Sequence, residues 1–373
     1  MPSELRVDKV SSTTSPYTPV FSTTGGALSH RNMIINGAMQ VAQRGTSATS
    51  VASAGYKVAD RWGLSYNTGG TWTISQSTDA PSGFGYSQKY EVTTAQSTPT
   101  RLWIQSSQEG YNVQSIGKGT SDAKQVTLSF WVKASVTGTN IAEIYDVNNT
   151  RQISKSYTIN TADTWEYKTI TFDADTTGTF SNDNGASLRL VLPLASGTSF
   201  TSGTLNTSWA SVTNANRHVG QTNHAATVGN TFYITGVQLE LGSVATPFEH
   251  RSYADELVRC QRYFIAYGVD TSGSADRNHD TAFRSTTPSA SNTISTNVCF
   301  TNVDLPVRLR TGNITFTALA AFNGSGTNLS NTNWRPFVAG SANAQRICIQ
   351  KHTNSMTTNQ SLIGLSFTVS AEL

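Results

Sequence analysis

The feature that most constrains the fold is the run Gly236-Val237-Gln238-Leu239-Glu240-Leu241-Gly242, which leads through Pro247-Phe248-Glu249 to Cys260-Gln261-Arg262-Tyr263-Phe264. The first part has the two-residue period of a β-strand. Glycine and proline then stop it. Ser252 stands where a helix N-cap is expected, with Asp255 and Glu256 in the first turn, where negative charge suits the helix dipole. Tyr253, Leu257, Cys260 and Phe264 follow at i, i+4, i+7 and i+11, one apolar stripe. So short a helix holds only by packing on something else. The simplest site is a seam between a β-domain before it and another after it.

The strand also contains a change of phase. Phe232 and Ile234 have one parity, and Val237, Leu239 and Leu241 the other. A continuous pleat would send the two groups to opposite faces. An extra residue at Gly236, in a β-bulge, returns both to one face. The same change of parity between Trp165/Tyr167 and Ile170/Phe172 predicts a second slip. Elsewhere the alternation is regular. Val126, Leu128, Phe130 and Val132 alternate with Thr127, Ser129, Trp131 and Lys133, and Leu188, Leu190 and Leu192 alternate with Arg189 and Val191. Ile363, Leu365, Phe367 and Val369 close the chain in the same way.

Numerous strands and no helical period before residue 250 predict an all-β chain. The expected order is an extended N-terminal arm (1–30), a jelly-roll β-sandwich (31–250), a short linking helix (251–264) and a smaller antiparallel β-domain (265–373) as the distal tip. The arm is polar and punctuated by Pro2, Pro16 and Pro19, so it is expected to gain order against another chain.

A length of 373 residues suits two domains. Charged residues are only 13%, against about 25% in a typical soluble domain. Serine, threonine, asparagine and glycine take their place. A net charge of +3 without basic clusters disfavours nucleic acid as a partner. No apolar run approaches the roughly 20 residues of a membrane-spanning helix, so no membrane insertion is expected. Met1 to Val10 lacks the apolar core of a signal peptide. Cys260, Cys299 and Cys348 are too few and too widely spaced for a disulfide framework or zinc site, and read as buried free thiols.

Catalytic chemistry has little support. No G-x-S-x-G elbow occurs, and acidic residues are scattered, so no enzyme activity and no catalytic residue is expected. Asp173 and Asp175, with Asp183 nearby, form the densest acidic stretch. The expectation there is a solvated loop and no cofactor, with calcium as the alternative. Asp276, His279 and Asp280 read as an exposed turn, and His218 and His224 as members of a polar loop without metal partners. Trp62, with Asp60 and Arg61, reads as core.

Sugar binding is better motivated. Pyranose rings present apolar faces that stack on aromatics, and their hydroxyls pair with polar side chains. Trp131 and Lys133 lie opposite the core-facing set of their strand, and Trp165 and Tyr167 share a face of another. Trp334 and Arg335, after Asn331 and Asn333, form a loop candidate. The competing reading covers these faces with the second sheet and a neighbouring protomer.

Three segments carry a resemblance: Asn32-Met33-Ile34-Ile35-Asn36-Gly37-Ala38-Met39-Gln40-Val41-Ala42-Gln43-Arg44-Gly45, then Asp60-Arg61-Trp62, then Gly236 to Phe264. Together, in this order, the chain resembles bacteriophage virion-appendage proteins, especially tail fibres of marine podovirus type. In that family the first element precedes a jelly roll similar to carbohydrate-binding modules, a Q-L-E-x-G strand ends it, and an E-L-x-x-C-Q-R-Y-F helix leads to a distal domain. The resemblance implies a structural virion protein and a homotrimer, made in the host cytoplasm and located in the virion. It implies attachment to other tail or virion proteins through the arm, whose apolar residues are Leu5, Val7, Val10, Tyr17 and Phe21, and binding of host cell-surface polysaccharide. The alternative is a purely structural component, such as a capsid-vertex fibre, a decoration or a tail connector, that touches no receptor.

Overall fold

The computed structural model describes residues 30–267, 298–310, 315–323, 334–337, 346–352 and 362–373. The attachment candidates Leu5, Val7, Val10, Tyr17 and Phe21, and the group Asp276, His279 and Asp280, lie outside the described residues.

Two antiparallel sheets pack face to face. The six-stranded sheet runs β1 (Ser47–Val51), β4 (Thr71–Ser77), β5 (Ser87–Thr94), β13 (Thr231–Leu241), β7 (Val126–Ala134) and β10 (Glu166–Phe172). The seven-stranded sheet runs β12 (Ala210–Ser211), β9 (Arg151–Ile159), β8 (Gly138–Asp146), β11 (Ala186–Ser196), β6 (Arg101–Glu109), β3 (Gly63–Asn67) and β2 (Gly55–Tyr56). The chain passes repeatedly from one sheet to the other, which makes the sandwich a jelly roll. Val126, Leu128, Phe130 and Val132 meet Leu188, Leu190 and Leu192 in one buried core with Trp62 and Trp72.

The bulge in β13 is present. Its register against β7 shifts between Thr235 and Gln238, and Gly236 has φ +63°. Phe232, Ile234, Val237 and Leu239 consequently all reach the same core. The slip predicted in β10 is absent: Glu166 to Phe172 pair with Val132 to Val126 without a break. Ile170 and Phe172 face the core, and Tyr167 points the other way with 43% of its surface exposed. The change of parity there marks two faces, not a bulge.

The residues that carried the family resemblance form a structural hub. Asn32 donates from Nδ2 to the Val237 carbonyl at 3.0 Å and accepts at Oδ1 from the backbone of Ile34 and Leu239. Asn36, fully buried at φ +57°, donates from Nδ2 to the carbonyls of Val41 and Asp60 and accepts at Oδ1 from Val41 N–H. Gly37 lies so close to β13 that an added Cβ would stand 2.1 Å from the Val237 oxygen. Arg44 pairs with Asp60 at 2.8 Å and with Glu372 at 2.9 Å, and Arg61 pairs with the other oxygen of Glu372.

The helix spans Tyr253–Gln261, and Ser252 caps it by accepting from Asp255 N–H at 3.1 Å. Its buried side carries Glu256 and Cys260; Cys260 and Tyr263 form a small core with Ile35 and Val41. Two members of the predicted stripe differ. Tyr253 is 57% exposed. Phe264 begins a strand, because Tyr263 and the residues after it pair with the end of the chain. That strand, β14 (Phe264–Tyr267), lies beside β19 (Leu362–Ser370), which pairs on its other side with β16 (Thr315–Asn323). A further sheet holds β15 (Val298–Asp304), β18 (Arg346–His352) and β17 (Trp334–Phe337). These strands make up the smaller antiparallel unit.

Candidate carbohydrate-binding face

The outer face of the six-stranded sheet gathers four of the six sugar-binding candidates. Regular pairing sets Tyr167 beside Trp131, and Tyr233 beside Lys133 on the other flank of β7. The rings of Trp131 and Tyr167 lie 5.2 Å apart, tilted by 48°. Trp165 and Tyr233 meet edge to face at 6.1 Å. The Lys133 ammonium stands 4.4 Å from the Tyr233 ring and 5.5 Å from the Trp165 ring. Both are within cation–π range.

Asp79 fixes this group from the side. It pairs with Lys133 and accepts from Trp165 Nε1 at 3.0 Å. The hydrogen bond from Lys133 holds the Asp79 carboxyl below the usual carboxylate range, against a smaller opposing effect of burial. Gly236 leaves room between Trp131 and Phe84, since a Cβ there would stand 3.1 Å from the indole and 2.7 Å from the Phe84 ring. Phe84 in turn packs on Phe248 and His250. The result is a band of partly exposed rings on a rigid sheet. Such rings can stack on a sugar without first losing loop entropy.

Sequence reasoning missed Tyr233 and Asp79. Tyr233 was legible, because it lies between the core residues Phe232 and Ile234 and must point outward. Asp79 was not, because its partners lie 54 and 86 residues away. Trp334 and Arg335 do not join the band. They lie in β17 and not in a loop, with Trp334 opposite Lys351 and Arg335 opposite Gln350. Pro336 is compatible with that assignment because β17 is an edge strand, where one missing donor is tolerated.

The acidic stretch is not a solvated loop throughout. Asp175 is buried and takes Arg151 at both oxygens. With Asp146 it also holds the Lys118 ammonium, at 3.0 and 2.6 Å, and the carbonyls of Thr177 and Gly178 complete the cage at 2.7 and 2.9 Å. Of the three carboxylates considered for calcium, Asp175 is thus enclosed by protein cations. Asp173 pairs with Lys155, and Asp183 caps Gly185 N–H. Among the described residues, no three His, Cys, Asp or Glu side chains group as a metal site.

His218 and His224 are both fully buried, contrary to the polar-loop expectation. His218 bonds to Ser196 Oγ at 2.9 Å and to Glu143 at 3.0 Å, and Arg217 takes both Glu143 oxygens. Burial alone would raise the Glu143 carboxyl, but His218 and Arg217 outweigh it and hold it low. Burial lowers the His218 imidazole. A neutral ring donating from Nε2 to Glu143 and accepting at Nδ1 from Ser196 satisfies every partner. Ser196 also accepts from Trp103 Nε1 at 2.8 Å, and the ring is packed against Trp103 and Phe200. The residue types match a hydrolase triad, but the imidazole is sealed and the serine is held on both sides. The group anchors the 197–222 segment on the sheet.

His224 yields a pH prediction. Its Nε2 bonds to Asn140 at 2.8 Å, and Nδ1 has no partner. Burial lowers its pKa to about 4, against roughly 6.5 in an unfolded chain. Between those values the unfolded chain binds more protons, so stability falls as the pH drops through the window. The expected loss is about 3 kcal/mol. Denaturant midpoints at neutral pH and near the bottom of the window should show it, and His224→Gln should flatten that part of the profile.

No family model and no curated protein matches the sequence. Solved structures give distant similarity. The enzymatically active domain of bacteriophage CBA120 tailspike protein 4 is 16% identical with a TM-score of 0.33, over 57% of this chain and 21% of that one. A family 11 carbohydrate-binding module from Clostridium thermocellum, in complex with a β-1,3-1,4-mixed-linked tetrasaccharide, is 15% identical with a TM-score of 0.26, over 55% and 98%. The C-terminal family 22 carbohydrate-binding module of Clostridium thermocellum Xyn10B is 12% identical with a TM-score of 0.28, over 53% and 99%. Assignment of the jelly roll rests on this chain's own strand order.

Proposed function

We propose that this chain is a structural virion protein, a homotrimeric phage tail fibre that attaches through residues 1–30 and binds host-surface glycan. The observation that carries the binding role is the band of Trp131, Tyr167, Trp165 and Tyr233, braced by Lys133 and Asp79 on the outer face of one sheet. Its rings are partly exposed and share a rigid support, which suits stacking. The virion role rests on the motif residues, which build a hub joining the start of the sandwich, its last strand and the helix. Weak sites repeated on three protomers would gain avidity.

Two measurements test this reading. Soluble protein is expected to bind susceptible cells and to block phage adsorption; a folded trimer that does neither sinks the receptor-binding role. Immunogold labelling is expected on the tail. Label on the head would favour the capsid-vertex alternative.

A further inference from the structure

We infer that the aromatic face takes an uncharged glycan and turns acidic polysaccharides away; this rests on the glycan-binding reading of the same face. The observation is how its charges are arranged. Lys133 and Lys89 are the lysines that flank Tyr233 on this face, and each is matched to a carboxylate, Lys133 to Asp79 and Lys89 to Glu91 at 2.5 Å. The lysines are sunk and the carboxylates stand out. Lys133 and Lys89 have side-chain exposures of 12% and 25%, whereas Asp79 and Glu91 have 47% and 39%.

Lys133 is further held under the faces of Tyr233 and Trp165, and Lys89 lies 5.7 Å from the Tyr233 ring. An approaching uronate or sulfate would therefore meet negative oxygens first. To reach either ammonium it would have to break an existing ion pair and a cation–π contact. A neutral sugar loses nothing by this arrangement. It can stack on the indoles and hydrogen-bond to the outward carboxylates and to the hydroxyls of Ser75, Thr73 and Thr169, which share this face by register.

The test uses the full chain against a panel of neutral and acidic bacterial surface polysaccharides, at ionic strengths of about 0.01 and about 1 M, between which screening of exposed charges changes most. Neutral polymers are expected to bind, with affinity changing less than about twofold across that range. Trp131→Ala and Trp165→Ala are each expected to weaken binding about tenfold or more, with folding checked by circular dichroism. Tyr167→Ala, at the most exposed ring, serves if a tryptophan variant fails to fold. Binding confined to acidic polymers and lost at high salt would overturn the inference and leave the glycan-binding reading standing. Neutral binding indifferent to all three substitutions would remove the site from this face. No binding to any polymer would overturn both.

Discussion

Lys118→Met is expected to destabilise the jelly roll by about 3–5 kcal/mol, the range for breaking a buried ion pair from one side. The ammonium is enclosed by Asp146, Asp175 and two carbonyls, with 1% of its side chain exposed. Asp175 would keep Arg151, but Asp146 would keep only hydrogen bonds from Asn148 and Asn149. An ionised carboxylate with no cation would then remain where water does not reach. Chemical denaturation of the variant measures the loss. Adding Asp146→Asn removes that charge, so the double variant should be more stable than Lys118→Met alone, a coupling that a double-mutant cycle isolates. Strict additivity would mean that the cage contributes packing and not electrostatics.

Asn36→Ala is expected to cost about 3–5 kcal/mol by a different route. Its side chain satisfies Val41 N–H and the carbonyls of Val41 and Asp60 in a site with no exposure. Each buried group left without a partner costs roughly 1–3 kcal/mol. The backbone adds to this. At φ +57° the residue sits in the left-handed region, which asparagine tolerates and alanine pays for by about 1 kcal/mol. Asn36→Gly removes the hydrogen bonds but not the conformational freedom. It should therefore be less destabilised than Asn36→Ala by about that amount. Equal losses for the two variants would show that hydrogen bonding alone sets the cost.

The sandwich was legible where one strand carried the signal. The parity change at Gly236 gave the bulge, and alternation in β7 and β11 gave the core face. The same reading turned Trp131 and Lys133 outward. It failed at β10, where the change of parity between Trp165/Tyr167 and Ile170/Phe172 suggested a slip; the pairing is unbroken, and the two parities are the two faces of one regular strand. It failed again where chemistry depends on residues far apart in sequence. Lys118 meets carbonyls 59 and 60 residues away, and His218 meets a carboxylate 75 residues away. A partial sign of the second group existed: Glu143 interrupts Ile141-Ala142 and Ile144, a charge inside a strand apolar on both faces. Such a residue needs a cation, and Arg217 supplies it.

Glu249 has one more consequence. Its two carboxylate oxygens accept the backbone N–H groups of His30 and Asn32, so the segment that leads into the sandwich is tied to the segment that leaves it. Tension applied along the chain from before residue 30 to beyond the helix would pass through this clamp and the neighbouring contacts of Arg251 with the Asn32 and Ile34 carbonyls. A pull across residues 30 and 249 would load this clamp before it loaded the sheet that carries the rings.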